Sequence, residues 1–341
     1  MRLRLLTPRY WLTWAALGLL RLVALLPFGA IVQVGRGLGI VLRHLPLSFV
    51  HIARRNLELC MPELPTQARE RLLNEHFKSL GVALLEIPFA WWSRPERLAN
   101  LLRIEGAEHL QAALARGRGA IVIAAHFTSL EMGGRALVNV APVGFLYRPP
   151  KNEVIAYAFA RFRIAHGGHG IPRDDIRGFI SALKHNECVW YAPDQSYRKK
   201  GAAMVPLFGI PAASNTLTSR LASLTGAPVL PYFFRRLPGT QGYVGVIHPP
   251  LENFPSECAA ADTMRFHRMI EAQVRLVPEQ YLWIHRRFKG LSADYPNYYG
   301  RYAPGRERSA VLPMPRRTVA AGRSGGDALI NDKRERGAPR R

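Results

Sequence analysis

From about residue 101 onward, short apolar runs alternate with segments of helical period. Leu101–Ile104, Ala120–Ala125, Val143–Tyr147, Cys188–Ala192, Val229–Phe234 and Tyr243–Ile247 read as strands, with a shorter strand-like piece at Ile171-Pro172. Between them, Ala107–Ala115, Leu130–Val138, Glu153–Arg163, Ile176–Leu183 and Ala261–Val277 have the spacing of helices. Ala120–Ala125 is apolar at every position and β-branched at its centre, as a strand buried on both faces must be. The alternation predicts an α/β fold with a mixed, largely parallel central sheet flanked by helices. No internal repeat is visible.

Upstream the pattern changes. Residues 35–100 read as largely helical, with Thr66 opening a helix that runs to about Glu86. Gly35-Arg-Gly37-Leu-Gly39 has part of a dinucleotide fingerprint, but Ile40 takes the third glycine position and no strand precedes it, so we discount it. The first 34 residues place Arg2, Arg4 and Arg9 ahead of an apolar run that begins at Trp11 and Trp14 and is interrupted by Arg21 and Pro27. Basic residues before such a run predict an uncleaved N-terminal membrane anchor facing the cytoplasm; whether it spans or lies in the interface stays open. The chain thus divides into an anchor at 1–34, a body at 35–300 and a basic tail at 301–341 that reads as disordered.

Charge narrows the partners. Lys and Arg number 47 against 24 Asp and Glu, a net +23. The surplus calls for an anionic partner such as acidic protein, anionic lipid or nucleic acid. No nucleic-acid reading motif is present, which disfavours the last. Cys60, Cys188 and Cys258 form no pair of metal or disulfide spacing. His166-Gly-Gly-His169 lacks a nearby third ligand, so it reads as a loop rather than a metal site. There is no Gly-x-Ser-x-Gly elbow and no phosphate-binding Walker loop.

The candidate chemistry sits where strands end, the place at which open α/β sheets hold ligands. The Ala120 run stops at His126, and Glu131 follows at the start of the next helix. From there a carboxylate can reach back to the imidazole and orient it as a base. The blander alternative is a satisfied histidine near a solvated glutamate. Arg148, Lys151 and Asn152 follow the next strand, and Asp194 follows Cys188–Ala192. Asp194 is equally suited to chemistry, to donor binding and to capping a loop. Arg198-Lys-Lys200, Arg235-Arg236 and His285-Arg286-Arg287-Phe-Lys289 read together as a surface for headgroups or phosphates.

These segments, in this order, resemble the late acyltransferases of lipid A biosynthesis, most closely the lauroyl-transferring type. The resemblance rests on His126-x4-Glu131, Tyr147-Arg-Pro-x-x-Asn152, Pro193-Asp194-Gln195, Val205-Pro-Leu-Phe208-Gly-x-Pro211 and Pro278-Glu-Gln-Tyr281-x-Trp283-x-His285-Arg-Arg-Phe-Lys289, and covers roughly residues 10–295. Ser196 and Arg198-Lys-Lys200 depart from the family's more acidic, Gly-containing stretch. The resemblance implies a glycerolipid-acyltransferase-like fold and an inner-membrane enzyme facing the cytoplasm. Its donor would be acyl carrier protein, and its acceptor a hydroxyacyl chain of a Kdo-bearing lipid A precursor. No metal or cofactor is implied. His126 would be the general base and Glu131 its orienting carboxylate. Arg148 and Asn152 would position the acceptor headgroup, Asp194 would organise the site, and Arg286 and Arg287 would contact phosphate or carrier protein. The alternatives are a related acyl-CoA-dependent glycerolipid or glycolipid acyltransferase, or a non-catalytic basic lipid-binding protein.

Overall fold

In the computed structural model, which describes residues 3–300, two short 3-10 turns (Leu3–Leu6 and Pro8–Tyr10) lead into four α-helices: α1 (Trp11–Val23), α2 (Phe28–His44), α3 (Ser48–Cys60) and α4 (Thr66–Trp92). A short α5 (Pro95–Ala99) leads into β1 (Leu102–Glu105), α6 (Ala107–Leu114), β2 (Ala120–Ile123), α7 (Leu130–Leu137), β3 (Val143–Tyr147), α8 (Glu153–Ala165) and β4 (Gly168–Pro172). Then come α9 (Ile176–Lys184), β5 (Cys188–Tyr191), β6 (Ala202–Leu207), β7 (Ile210–Asn215), α10 (Leu217–Thr225), β8 (Val229–Arg236), β9 (Tyr243–Ile247) and α11 (Ala259–Leu276). The expected tail at 301–341 lies outside the described residues.

Seven strands form one sheet in the order β1-β9-β8-β2-β5-β3-β4. All neighbours are parallel except β8 and β9, so β9 and β1 run against the other five. β2 is central and buried at every position, as its composition demands. Ile121, Ile123 and Ala125 enter the core on one face; Ala120, Val122 and Ala124 enter the core on the other. That alternation is the pleat of a strand covered on both sides.

Several local expectations change. The periodicity predicts neither the antiparallel hairpin β6–β7, whose alternation Pro206 and Pro211 interrupt, nor the short helix α10. α4 runs on through Pro88 to Trp92, beyond Glu86. The strand at Ile171-Pro172 begins earlier, at Gly168, so Gly168 and His169 are part of an edge strand.

The N-terminal apolar run does not form one rod. It breaks at Pro27 into α1 of 13 residues and α2 of 17 residues, and no helix of the described residues is long and apolar enough to cross a membrane. α2 lies against α4 at a crossing made by glycines. A Cβ on Gly39 would stand 2.1 Å from the Phe77 carbonyl oxygen, and one on Gly81 would stand 2.1 Å from that of Gly35. Gly35 and Gly39 of the discounted pattern therefore serve close helix packing, while Gly37 faces open space.

Candidate active site

The parallel register places the two central site residues. Ile123 of β2 pairs with Tyr191 of β5. Three residues beyond each partner stand His126 and Asp194. Because the strands run the same way, both residues leave the sheet at its carboxyl edge, side by side. Asp194 is 2% exposed and takes two bonds from His126: the imidazole Nδ1 lies 2.5 Å from Oδ1, and the backbone N–H donates to Oδ2 at 2.9 Å. The Tyr281 hydroxyl also donates to Oδ2, at 3.2 Å.

The electrostatics agree with an ionised Asp194. Burial pushes its pKa up, but the His126 charge and hydrogen bonds outweigh this and hold it at about 2. Burial works against protonated His126, yet the Asp194 charge and hydrogen bond raise its pKa above the usual value. A carboxylate on Nδ1 fixes the proton there and leaves the Nε2 lone pair as the basic atom. Two nearby histidines behave oppositely. His285 is pushed down to about 4, chiefly by burial, and its Nε2 accepts from the Ser196 N–H at 3.0 Å. His267 is also pushed down to about 4, by burial and by Arg287, and lies between Arg287 and the Pro206 carbonyl. Among the described histidines whose pKa departs from its ordinary value, His126 alone is shifted upward.

The turn after His126 is held from outside the sheet. The His126 carbonyl accepts from the Leu282 N–H at 2.9 Å, and the Thr128 N–H donates to the Gln280 carbonyl at 2.7 Å. Phe127 and Tyr281 form an antiparallel bridge. The Pro278–Lys289 motif thus reaches the site partly as backbone.

The other expected residues scatter. Glu131 does not take the imidazole Nδ1, which Asp194 occupies; its Oε2 accepts from the Trp91 indole N–H at 3.2 Å. Helix α7 carries Glu131 toward α4, alongside Arg135 and His166 in a small cleft. Asn152 caps α8, its Oδ1 accepting from the N–H groups of Val154 at 2.9 Å and Ile155 at 3.2 Å, while its Nδ2 donates to Thr13 of α1 at 3.1 Å. Arg148 is exposed just past β3, on the same carboxyl edge as His126. Arg286 is half-buried.

Two of the three basic clusters are not plain surfaces. Arg287 is 3% exposed and donates to the Ala213 carbonyl at 2.9 Å and the Ser214 hydroxyl at 2.7 Å, so it braces β7, and it lines the same cavity as His126 and Asp194. Arg236 is buried in an ion pair with Glu86. Only Arg198-Lys199-Lys200 is exposed throughout. His166 and His169 also part company: His166 Nε2 meets the Trp91 carbonyl and His169 faces Glu187. Among the described residues no group of three or more His, Cys, Asp or Glu is arranged to hold a metal.

Comparison with known proteins decides the family. A model of the bacterial lipid A biosynthesis acyltransferases matches residues 2–290. The chain belongs to that family. It is 37% identical to the lipid A biosynthesis lauroyltransferase of Escherichia coli K12 over 296 residues, covering 86% of this chain and 97% of that protein. It is 39% identical over 284 residues to the palmitoleoyltransferase of the same organism, covering 83% and 92%. A lipid A biosynthesis acyltransferase of Haemophilus influenzae is 33% identical over 288 residues, 83% of this chain and 92% of that one.

In this lipid A acyltransferase family member the segments that follow two adjacent strands bring an imidazole and a buried carboxylate into hydrogen-bond contact. Proximity in sequence favoured Glu131 as the carboxylate at the imidazole; in the structure the carboxylate bonded to Nδ1 is that of Asp194. The signal that finds Asp194 is two buried runs, each ending just before a titratable side chain. Tyr281, Gln280 and Ser79 gave no such signal, because their contacts join distant segments.

Proposed function

We propose that this chain transfers a fatty acyl group from acyl carrier protein to a hydroxyacyl chain of a Kdo-bearing lipid A precursor, at the cytoplasmic face of the inner membrane. The observation that carries it is the His126–Asp194 pair, in a member of the lipid A acyltransferase family. His126 Nε2 takes the proton of the acceptor hydroxyl as its oxygen attacks the thioester carbonyl. Asp194 stabilises the imidazolium that forms. The tetrahedral intermediate collapses by breaking the C–S bond, and the imidazolium returns its proton to the departing thiolate. Atoms balance without an acyl-enzyme.

The surroundings support a charged acceptor and an anionic membrane. Arg148 stands exposed on the edge that bears His126, suited to a headgroup phosphate or to the developing oxyanion. The Thr128 N–H, already bound to Gln280, is not available for that oxyanion. Helix α1 leaves Trp11, Leu12, Leu19 and Leu22 exposed, with Leu12 at 84%. This apolar face supports anchoring in the bilayer interface. The Asn152–Thr13 bond ties α1 to the start of α8, close in sequence to Arg148.

The test is turnover of a panel of acyl-carrier-protein and acyl-CoA thioesters with Kdo-lipid A precursor, read by product mass. Transfer from the carrier protein that His126→Ala abolishes supports the reading. Preferential use of acyl-CoA with a glycerolipid acceptor favours the related acyltransferase, and binding without transfer favours the lipid-binding protein.

A further inference from the structure

A buried polar chain runs from α4 to the turn that carries His126. Arg236, at the end of β8, donates from Nε to Glu86 Oε1 at 2.5 Å and from Nη2 to Oε2 at 2.7 Å. The Tyr243 hydroxyl donates to the same carboxylate. The third arm, Nη1, donates to the Ser79 hydroxyl at 3.0 Å, and that hydroxyl is bonded to the Thr128 hydroxyl at 2.7 Å. The Arg236 backbone is clamped by the Gln280 amide, which accepts from its N–H at 2.8 Å and donates to its carbonyl at 2.9 Å. The Gln280 carbonyl then takes the Thr128 N–H at 2.7 Å. Thr128 is thus held by side chain and by backbone, and both routes start from Arg236.

We propose that Glu86, Arg236, Ser79 and Gln280 form a rigid frame that sets the position of the His126 turn, making them positioning residues for acyl transfer. The inference rests on the reading of His126 as the base. All four are buried, Glu86 at 1% and Arg236 at 9% exposure, and their bonds end on Thr128 rather than on His126. They act through the turn.

Energetics argue that the frame is more than fold stability. A buried ion pair repays its desolvation only when well bonded, and apolar side chains of similar volume often serve a core as well or better. Here the guanidinium spends its arms on one carboxylate and one hydroxyl that leads to the turn, a use of charge that packing alone does not require. Position matters greatly to a base: a misplacement of about 1 Å can cost on the order of 10²-fold in rate. The same turn is fixed at His126 itself by Asp194 and by Leu282, whose segment also contains Gln280. A shift at Thr128 therefore tilts the imidazole against the carboxylate.

The experiment uses the full chain in detergent micelles and three variants: Ser79→Ala, Thr128→Val and Thr128→Ser. Two readouts are taken: kcat and KM for transfer from an acyl-carrier-protein thioester, and the downfield proton signal of the His126–Asp194 bond, assigned by its loss in His126→Gln. Ser79→Ala and Thr128→Val should lower kcat about 10- to 100-fold with KM within about 2-fold of the parent, and should move or broaden the signal. Thr128→Ser, which keeps the hydroxyl, should restore both. Parental kcat and an unmoved signal in Ser79→Ala and Thr128→Val would overturn the proposal. So would losses that Thr128→Ser does not rescue. If the parent chain gives the signal but transfers nothing, the acyl-transfer reading fails, and the frame is judged on the signal alone.

Discussion

His126 and Asp194 meet because β2 and β5 are in parallel register, and each residue stands three places past the Ile123–Tyr191 pair. A one-residue slip between these strands would turn one partner to the other face of the sheet. The dyad is therefore a property of the sheet's register, and its two members respond differently to substitution and pH.

Asp194→Asn keeps the shape but removes the charge that raises the His126 pKa. In the parent the transfer rate should rise with pH through a value above 6.5, since the base works unprotonated and its pKa lies above the ordinary 6.5. In the variant only burial remains, which lowers the pKa, so the acid limb should move below 6.5. The rate should fall on the order of 10²- to 10⁴-fold. A pH–rate profile of kcat/KM in both proteins checks the limb and the magnitude. Stability changes with the sign of the Asp194 shift. Its folded pKa of about 2 lies below the ordinary 3.8, so its contribution is present above 3.8 and is lost as pH falls toward 2.

Glu131→Gln separates the two carboxylates. Glu131 bonds to Trp91 and not to Nδ1, so the substitution should leave the acid limb where it is, whatever it does to the rate. A limb that shifted as far as in Asp194→Asn would put Glu131 back beside the imidazole in the working enzyme. The same pH profile decides it.

Arg236→Met should be strongly destabilising. It leaves the Glu86 carboxylate buried with no opposing charge, at a cost of about 3–5 kcal/mol. Pairing it with Glu86→Leu should recover much of that stability by removing the orphaned charge. Thermal or urea unfolding of both variants gives the difference. On the frame argument the double variant regains stability without regaining the parental rate.

The exposed face of α1 should govern membrane affinity. Replacing Leu12, Leu19 and Leu22 each by Glu removes three apolar side chains from the interface and adds three negative charges. Sedimentation with vesicles of phosphatidylethanolamine and phosphatidylglycerol should show binding reduced at least 10-fold, with the circular dichroism of the fold unchanged. Binding equal to the parent would assign anchoring to another surface.

Much of the fold was legible in the sequence because the central strands are buried on both faces. Ala120–Ile123, Cys188–Tyr191 and Val229–Arg236 are continuous apolar runs or nearly so, and such runs have few other uses. The hairpin β6–β7 was hidden by its prolines, and the N-terminal run read as longer than any helix it forms, because Pro27 ends α1's approach and opens α2. The site was half legible. His126 stands out at the end of an apolar run. The carboxylate that it bonds, Asp194, follows a neighbouring strand, and strand order is a tertiary fact that periodicity does not contain. Arg236 and Arg287 illustrate the same limit from the other side. Each is the second of two adjacent arginines, and which of the two turns inward depends on a partner elsewhere in the chain: Glu86 for one, Ser214 for the other.

The segment Gln280–Leu282 that holds the His126 turn follows nearly everything else in the described chain. A ribosome makes His126 and Asp194 long before it makes Gln280, Tyr281 and Leu282. During that interval the growing chain carries both partners of the dyad without the backbone bonds that seat the turn. The seating of the His126 turn is thus a late event in synthesis, and a nascent chain that stops short of Gln280 holds the imidazole and the carboxylate with nothing to set the path of the backbone between Phe127 and Ser129.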